Sequence, residues 1–161
     1  RVLDECVSLV DNQALFLNIR IVKHLAQDVP QVLMDPSQIQ QVFMNMIINA
    51  AEAMHGTGQL TLTTSHDPAD SAVEVQFTDS GHGIKEEDLD RIFSPFFTTK
   101  EVGHGTGLGL AISYGIVKEH KGTITVESQE GQGATFTIRL PVTSVEQEVT
   151  NRAVSSQNSG D

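Results

Sequence analysis

Residues 35–56 read DPSQIQQVFMNMIINAAEAMHG, and this stretch decides the architecture. Asp35 is a good N-cap with Gln38 three residues on, Pro36 suits the first helical position and Gly56 suits the C′ position, so a helix is predicted between them. Ile39, Phe43, Met46, Ile47, Ala50 and Met54 recur at helical spacing and form its core face. Asn45 and Asn49 lie one turn apart beside that face. Packing does not explain two amides on a mostly apolar helix, because each needs hydrogen-bond partners when buried. Their carbonyl oxygens are hard ligands of the kind Mg²⁺ takes, and Mg²⁺ usually completes its octahedron with waters and substrate phosphates. Taken singly, either Asn reads better as an amide satisfied within the core.

On the N-terminal side, VLDECVSLVDNQALF (2–16) places Val2, Cys6, Val10 and Leu15 at helical intervals, and RIVKHL (20–25) reads as a strand. On the other side, QLTLTTS (59–65) and SAVEVQFTD (71–79) are strand-like runs joined by HDPAD, a hairpin. Val73, Val75, Phe77 and Asp79 share one face by the period of two, so the Asp79 carboxylate points toward the core and costs energy unless paired. KEEDLDRIF (85–93) reads as a short helix with an acidic first turn, and SPFFTTKEVGHGT (94–106) lacks periodicity and reads as a lid. From Gly107 to His120 a helix is expected, with Leu110, Ala111, Tyr114 and Val117 on one face and Gly122 beyond its end. TITVES (123–128) and ATFTIRLP (134–141) pair across QEGQG as a closing hairpin. This order predicts an α/β (α+β) two-layer sandwich, with helices on one face of a mostly antiparallel sheet.

A chain of 161 residues with 39% hydrophobic content suits one domain, expected over 1–142. The remainder, TSVEQEVTNRAVSSQNSGD (143–161), is too polar to offset its ordering entropy and reads as a disordered tail or linker. A net charge of −11 with ten Lys and Arg excludes a nucleic-acid surface, which needs clustered positive charge. No apolar run approaches the roughly 20 residues of a membrane span and no signal peptide opens the chain, so a cytoplasmic segment without membrane contact is expected. Cys6 reads as a small buried hydrophobe.

Residues 103–111 read GHGTGLGLA, alternating glycines at the mouth of the last helix. Such a stretch lets backbone approach a ligand and leaves first-turn N–H groups free at the positive end of the helix dipole, an anion site; a flexible hinge is the competing reading. The spacing misses the dinucleotide fingerprint, since the positions five after Gly103 and Gly105 are Leu108 and Leu110, and no Gly-Lys-Ser/Thr is present for a P-loop. Residues 79–84, DSGHGI, put a carboxylate before Gly81 and Gly83; a buried acceptor there can receive a purine amine, and a surface turn is the alternative.

Taken in order, a two-Asn helix, an Asp-Gly-Gly loop, an aromatic lid and a glycine-rich helix mouth resemble the ATP-binding catalytic domain of sensor histidine kinases, within the GHKL superfamily. NMIINAAEA (45–53) resembles the N box, DSGHGI the first glycine box, IFSPFF (92–97) the F box, GHGTGLGLA the second glycine box and GQGATF (131–136) the third. The resemblance covers about residues 1–142. It implies a Bergerat ATP-binding fold with ATP and Mg²⁺ as cofactors. It also implies Asn49 as the Mg²⁺ ligand with Asn45 close by, and Asp79 on the adenine amine with Gly81, Gly83 and Ile84 beside it. Gly103, His104, Gly105, Thr106, Gly107, Leu108 and Gly109 would surround the triphosphate, with Thr135 of the third box also at the nucleotide. Many relatives carry a lid Arg near the γ-phosphate; the matching stretch here is Thr98, Thr99, Lys100, so that task falls to Lys100. The FFTTK lid is similar to kinases of the nitrogen-regulation type.

The resemblance further implies two protein partners, a helical dimerisation and phosphoacceptor domain upstream and the receiver domain of a response regulator. None of the six His residues, at 24, 55, 66, 82, 104 and 120, lies in the helical His-Glu context of a phosphoacceptor. Two other functions compete. A GHKL ATPase would carry a Glu one turn before the metal-binding Asn, where this chain has Asn45, which cannot serve as a general base. A nucleotide-dependent binding module of the anti-sigma kind would lack an acceptor His in its full-length chain.

Overall fold

The computed structural model describes residues 1–69, 71–99 and 106–142. Helix α1 (Val2–Val10) is followed by a 3-10 turn (Ala14–Phe16) and strand β1 (Asn18–Leu25), then α2 (Pro36–Ala53). A hairpin of β2 (Thr57–Asp67) and β3 (Ala72–Asp79) leads to a single helical turn, α3 (Glu86–Leu89). After these come α4 (Gly109–Glu119) and a second hairpin, β4 (Thr123–Ser128) with β5 (Ala134–Pro141). The five strands form one sheet in the order β1-β2-β3-β5-β4. Only β1 with β2 runs parallel, with α2 as the crossover between them; the other pairs are antiparallel.

Alternation along the strands decides which face is covered. Val73, Val75, Phe77 and Asp79 are buried, while Glu74, Gln76 and Thr78 between them are not. Across the sheet Leu60 faces Asp79, Leu62 faces Phe77, and Phe77 in turn faces Phe136. This apolar face meets α1, α2 and α4 in one core, with the Phe43 and Phe77 rings 5.5 Å apart. The opposite face carries Thr61, Thr63, Gln76, Thr135, Thr137 and Arg139 and, among the described residues, no helix, which is the two-layer sandwich expected from the sequence.

The central helix forms as its caps predict. Asp35 Oδ1 accepts from the Ser37 and Gln38 N–H groups at 2.9 and 3.1 Å, with Pro36 next to it in the first turn. Its far end differs from expectation by one residue. Met54 is the C-cap, so His55 takes the C′ place at φ 52° and Gly56 follows at φ 75°. The Gly56 N–H reaches Ala51 O and the His55 N–H reaches Glu52 O, both at 3.0 Å, the Schellman pairing.

Other boundaries also shift. Helix α1 stops at Val10, so Leu15 sits in the 3-10 turn at 36% exposure and Phe16 enters the core in its place. KEEDLDRIF yields one α-helical turn, after which Ile92 is buried. Helix α4 begins at Gly109 and buries Ser113, Ile116 and Val117; Tyr114 stays at the surface, its ring 5.6 Å from Phe93. The tail from 143 onward lies outside the described residues.

Candidate functional site

Asp79 ends β3 with its side chain on the core face, 5% exposed. Desolvation pushes its carboxyl pKa up, and the backbone N–H groups of Gly81 and Ala134 and the neighbouring His82 draw it partly back. The Gly81 N–H lies 2.7 Å from Oδ1. A carboxylate has about four lone-pair sites, so two backbone donors leave it able to accept from a ligand.

The loop after Asp79 and the turn before β5 lie back to back. Gly133 has φ +83° and a Cβ there would fall on the Asp79 carbonyl oxygen, so only glycine permits this approach. Ser128 clasps the two segments, its hydroxyl accepting from the Ile84 N–H at 2.8 Å and donating to the Gly133 carbonyl at 2.7 Å. The same loop is tied to α2, because the His82 N–H donates to the Ala53 carbonyl at 3.1 Å.

One and two turns back along α2 stand Asn49 and Asn45, both half-buried. Asn45 Nδ2 donates to the Gly109 carbonyl and to the Ser113 hydroxyl, each at 3.1 Å, binding α2 to the first turn of α4. The Asn49 side chain makes no hydrogen bond among the described residues, so its amide oxygen is available to a ligand. No group of three or more His, Cys, Asp or Glu among the described residues could cage a metal. A free Asn oxygen without a carboxylate cage fits Mg²⁺, which binds few protein oxygens and shares the rest with water and phosphate.

At the mouth of α4, Leu108 is the N-cap and no side chain caps the helix. Thr106 Oγ1 accepts from the Leu108 N–H at 3.3 Å. Gly107, at φ +66°, presses against the F-box turn, where a Cβ would meet the Phe96 carbonyl carbon at 2.5 Å, and its carbonyl accepts from the Phe96 N–H at 2.9 Å. Phe93 and Phe97 pack on the core edge, and Phe96 is 75% exposed. A shallow concavity elsewhere is lined by Lys85, Glu86, Glu87 and Glu130, whose three carboxylates would repel a phosphate.

Helix α2 is therefore the spine of the site. Asn45 touches the glycine mouth, Asn49 follows one turn on, and Ala53 holds the loop of Asp79, Gly81, Gly83 and Ile84. The eight helical steps from 45 to 53 rise about 12 Å. Thr135 is not part of this group. It alternates outward on β5, between inward Ala134 and Phe136, and its hydroxyl lies 3.0 Å from that of Thr78 on the open face of the sheet. The third glycine box reaches Asp79 through the Ala134 N–H instead, a backbone contact that no side-chain pattern reveals. Ser113 also escaped the sequence reading, since one hydroxyl in an apolar helical run gives no signal. Lys100, Gly103, His104 and Gly105, with Glu101 and Val102 of the expected lid, lie outside the described residues.

Residues 34–144 match the family model described as histidine kinase-, DNA gyrase B-, and HSP90-like ATPase. The chain belongs to that family. It is 48% identical over 113 residues to the sensor histidine kinase ZraS of Escherichia coli K12, covering 70% of this chain and 23% of that kinase. The nucleotide-free catalytic domain of the histidine kinase ThkA superposes with a TM-score of 0.77 at 35% identity, over 89% of this chain and 93% of that one. Full-length ShkA in complex with AMPPNP gives a TM-score of 0.76 at 28% identity, over 87% of this chain and 29% of ShkA. The chain is thus an ATP-binding catalytic module of the sensor histidine kinase type, and its mixed sheet is the fold of those catalytic domains. Among the described residues of this module, no helix is long and apolar enough to cross a membrane.

Proposed function

We propose that this module binds Mg·ATP along α2 and presents the γ-phosphate to a His on a helical dimerisation and phosphoacceptor domain, from which an Asp of a response regulator receives it. The observation that carries this reading is the order of groups along one helix: a buried acceptor carboxylate at one end, a free amide oxygen in the middle and an uncapped glycine-rich helix mouth at the other. Asp79 accepts the adenine amine, with Gly81, Gly83 and Ile84 giving the base a close backbone wall. Asn49 supplies an oxygen to Mg²⁺, with Asn45 one turn away. The N–H groups at the start of α4, with Thr106, Gly107, Leu108 and Gly109, receive phosphate oxygens. Lys100, Gly103, His104 and Gly105 complete the phosphate end by resemblance to the family.

Phosphoryl transfer is mostly positioning and charge neutralisation, so the module's task is to hold the phosphates in line and dry. Bound Mg²⁺ supplies the neutralising charge that a chain of net charge −11 cannot. Asn45 stands one turn before Asn49 and has no basic lone pair with which to activate water, which supports the kinase reading over hydrolysis. The FFTTK segment supports placement near nitrogen-regulation kinases. The setting is cytoplasmic.

Titration calorimetry with a non-hydrolysable ATP analogue tests the binding. Micromolar-range affinity that requires Mg²⁺ and exceeds that for the guanine analogue is expected. Metal-independent binding, or equal affinity for both bases, would overturn the assignment of Asn49 or of Asp79 respectively.

A further inference from the structure

Two polar side chains are buried among the described residues, Asp79 at 5% exposure and Ser113 at 0%. The first has a role in the reading above. Ser113 is 0% exposed on the inner face of α4, where an apolar residue would pack without any need for partners. Its hydroxyl lies 3.1 Å from Asn45 Nδ2, and the same nitrogen lies 3.1 Å from the Gly109 carbonyl.

A carbonyl can only accept, so the group facing Gly109 must be the NH₂ of Asn45 and not its oxygen. That NH₂ has two protons. One goes to Gly109 and the other to Ser113, so neither remains for a ligand and the amide cannot flip without losing both bonds. Among the described residues, Oδ1 is left as the only free polar atom of the side chain. The two bonds come from the first and second turns of α4, so they also lock the metal helix to the helix whose mouth faces the phosphates.

We propose that Ser113 is a positioning residue: with the Gly109 carbonyl it holds the Asn45 amide so that Oδ1, and not NH₂, is offered beside Asn49 at the metal end of the nucleotide. This rests on the reading of the Asn45–Asn49 face as the Mg·ATP site. An acceptor oxygen suits a metal ion or a metal-bound water, whereas a flipped amide would direct donors at the cation. With Ala at 113 one amide proton has no partner, and the barrier to the flip falls.

The test combines side-chain amide NMR on the ligand-free chain with calorimetry. In the unsubstituted protein, the Asn45 NH₂ protons, assigned by their loss in Asn45→Ala, should exchange with solvent more slowly than those of Asn49. In Ser113→Ala one of the two should lose protection, and the Mg²⁺ concentration that half-saturates ATP-analogue binding should rise about 10-fold, the lower end of what loss of an outer-sphere partner costs a metal site. Binding of adenosine, which has no phosphate for the metal, should be unchanged. Ser113→Thr, which keeps the hydroxyl, should restore both signals. Fast exchange of the Asn45 amide in the unsubstituted protein would overturn the proposal without any substitution. An unchanged Mg²⁺ dependence in Ser113→Ala would overturn it while the site reading stands. Failure of the unsubstituted chain to bind Mg·ATP would overturn the site reading, and this proposal with it.

Discussion

Replacing Asp79 by Ala should separate binding from stability, because the same burial that makes the carboxylate a good acceptor makes it a poor contributor to folding. In the folded chain Asp79 is 5% exposed, and desolvation holds its carboxyl above the ordinary value of 3.8. Removing it frees the Gly81 and Ala134 N–H groups, each costing about 1–3 kcal/mol if buried without a partner, and relieves the carboxylate's own desolvation, which acts in the opposite direction. The net change in stability should therefore be small, within about 2 kcal/mol either way. Binding has no such compensation. A hydrogen bond to a charged acceptor is worth about 1.5–3 kcal/mol, so the ATP analogue should bind about 10- to 150-fold more weakly. Guanine nucleotides, which present a carbonyl where adenine has its amine, should be affected far less. The assay is titration calorimetry of both bases on Asp79→Ala, beside urea denaturation of the same sample. Full retention of ATP-analogue affinity in a folded variant would refute the assignment of Asp79 to the adenine amine.

Three further outcomes are expected. Asn49→Ala should lose the metal-dependent part of ATP-analogue affinity while thermal denaturation stays within a few degrees of the parent, since the Ile39, Phe43, Met46 and Ile47 face is untouched; unchanged Mg²⁺ dependence would count against Asn49 as the ligand. Gly133→Ala should destabilise by more than about 2 kcal/mol, a fall in Tm of roughly 5 °C or more, because the new methyl meets the Asp79 carbonyl at a left-handed φ; an unaltered Tm would contradict the close approach. Between pH 3.8 and the raised value of Asp79 the folded chain keeps a proton that the unfolded chain has released, so this group's effect lowers stability as pH rises through that window. Asp79→Asn should flatten that slope in urea denaturation across pH, and an identical slope in the two proteins would contradict the shift.

Much of the frame was legible because it is local. The cap at Asp35, the helical spacing from Ile39 to Met54 and the alternation of Val73 to Asp79 each follow from residues a few positions apart, and the structure reproduces all three. What was not legible depends on distant partners or on backbone. The parallel pairing of β1 with β2 joins residues about forty apart and leaves no trace in NIRIVKHL. Thr135 was placed at the nucleotide by its motif, although its alternation with Ala134 and Phe136 sends it to the open face. Ser113 matters through Asn45, 68 residues away, and Ala134 through a main-chain N–H. His55 at φ 52° shows the same limit at a helix end, where hydrogen bonds to Glu52 and from Gly56 to Ala51 hold a non-glycine residue in a position the sequence reserved for glycine.

Central to the proposed function is delivery of a γ-phosphate to a histidine with water kept from it. The direct measurement is γ-radiolabelled ATP with Mg²⁺, given to the 161-residue chain alone and then with its cognate helical phosphoacceptor domain added in trans. Negligible self-labelling and very slow phosphate release are expected of the chain alone. With the added domain, acid-labile labelling of its His is expected, abolished by Asn49→Ala or Asp79→Asn. Rapid release of free phosphate by the chain alone, or no labelling of the chain's own cognate acceptor domain, would contradict this transfer.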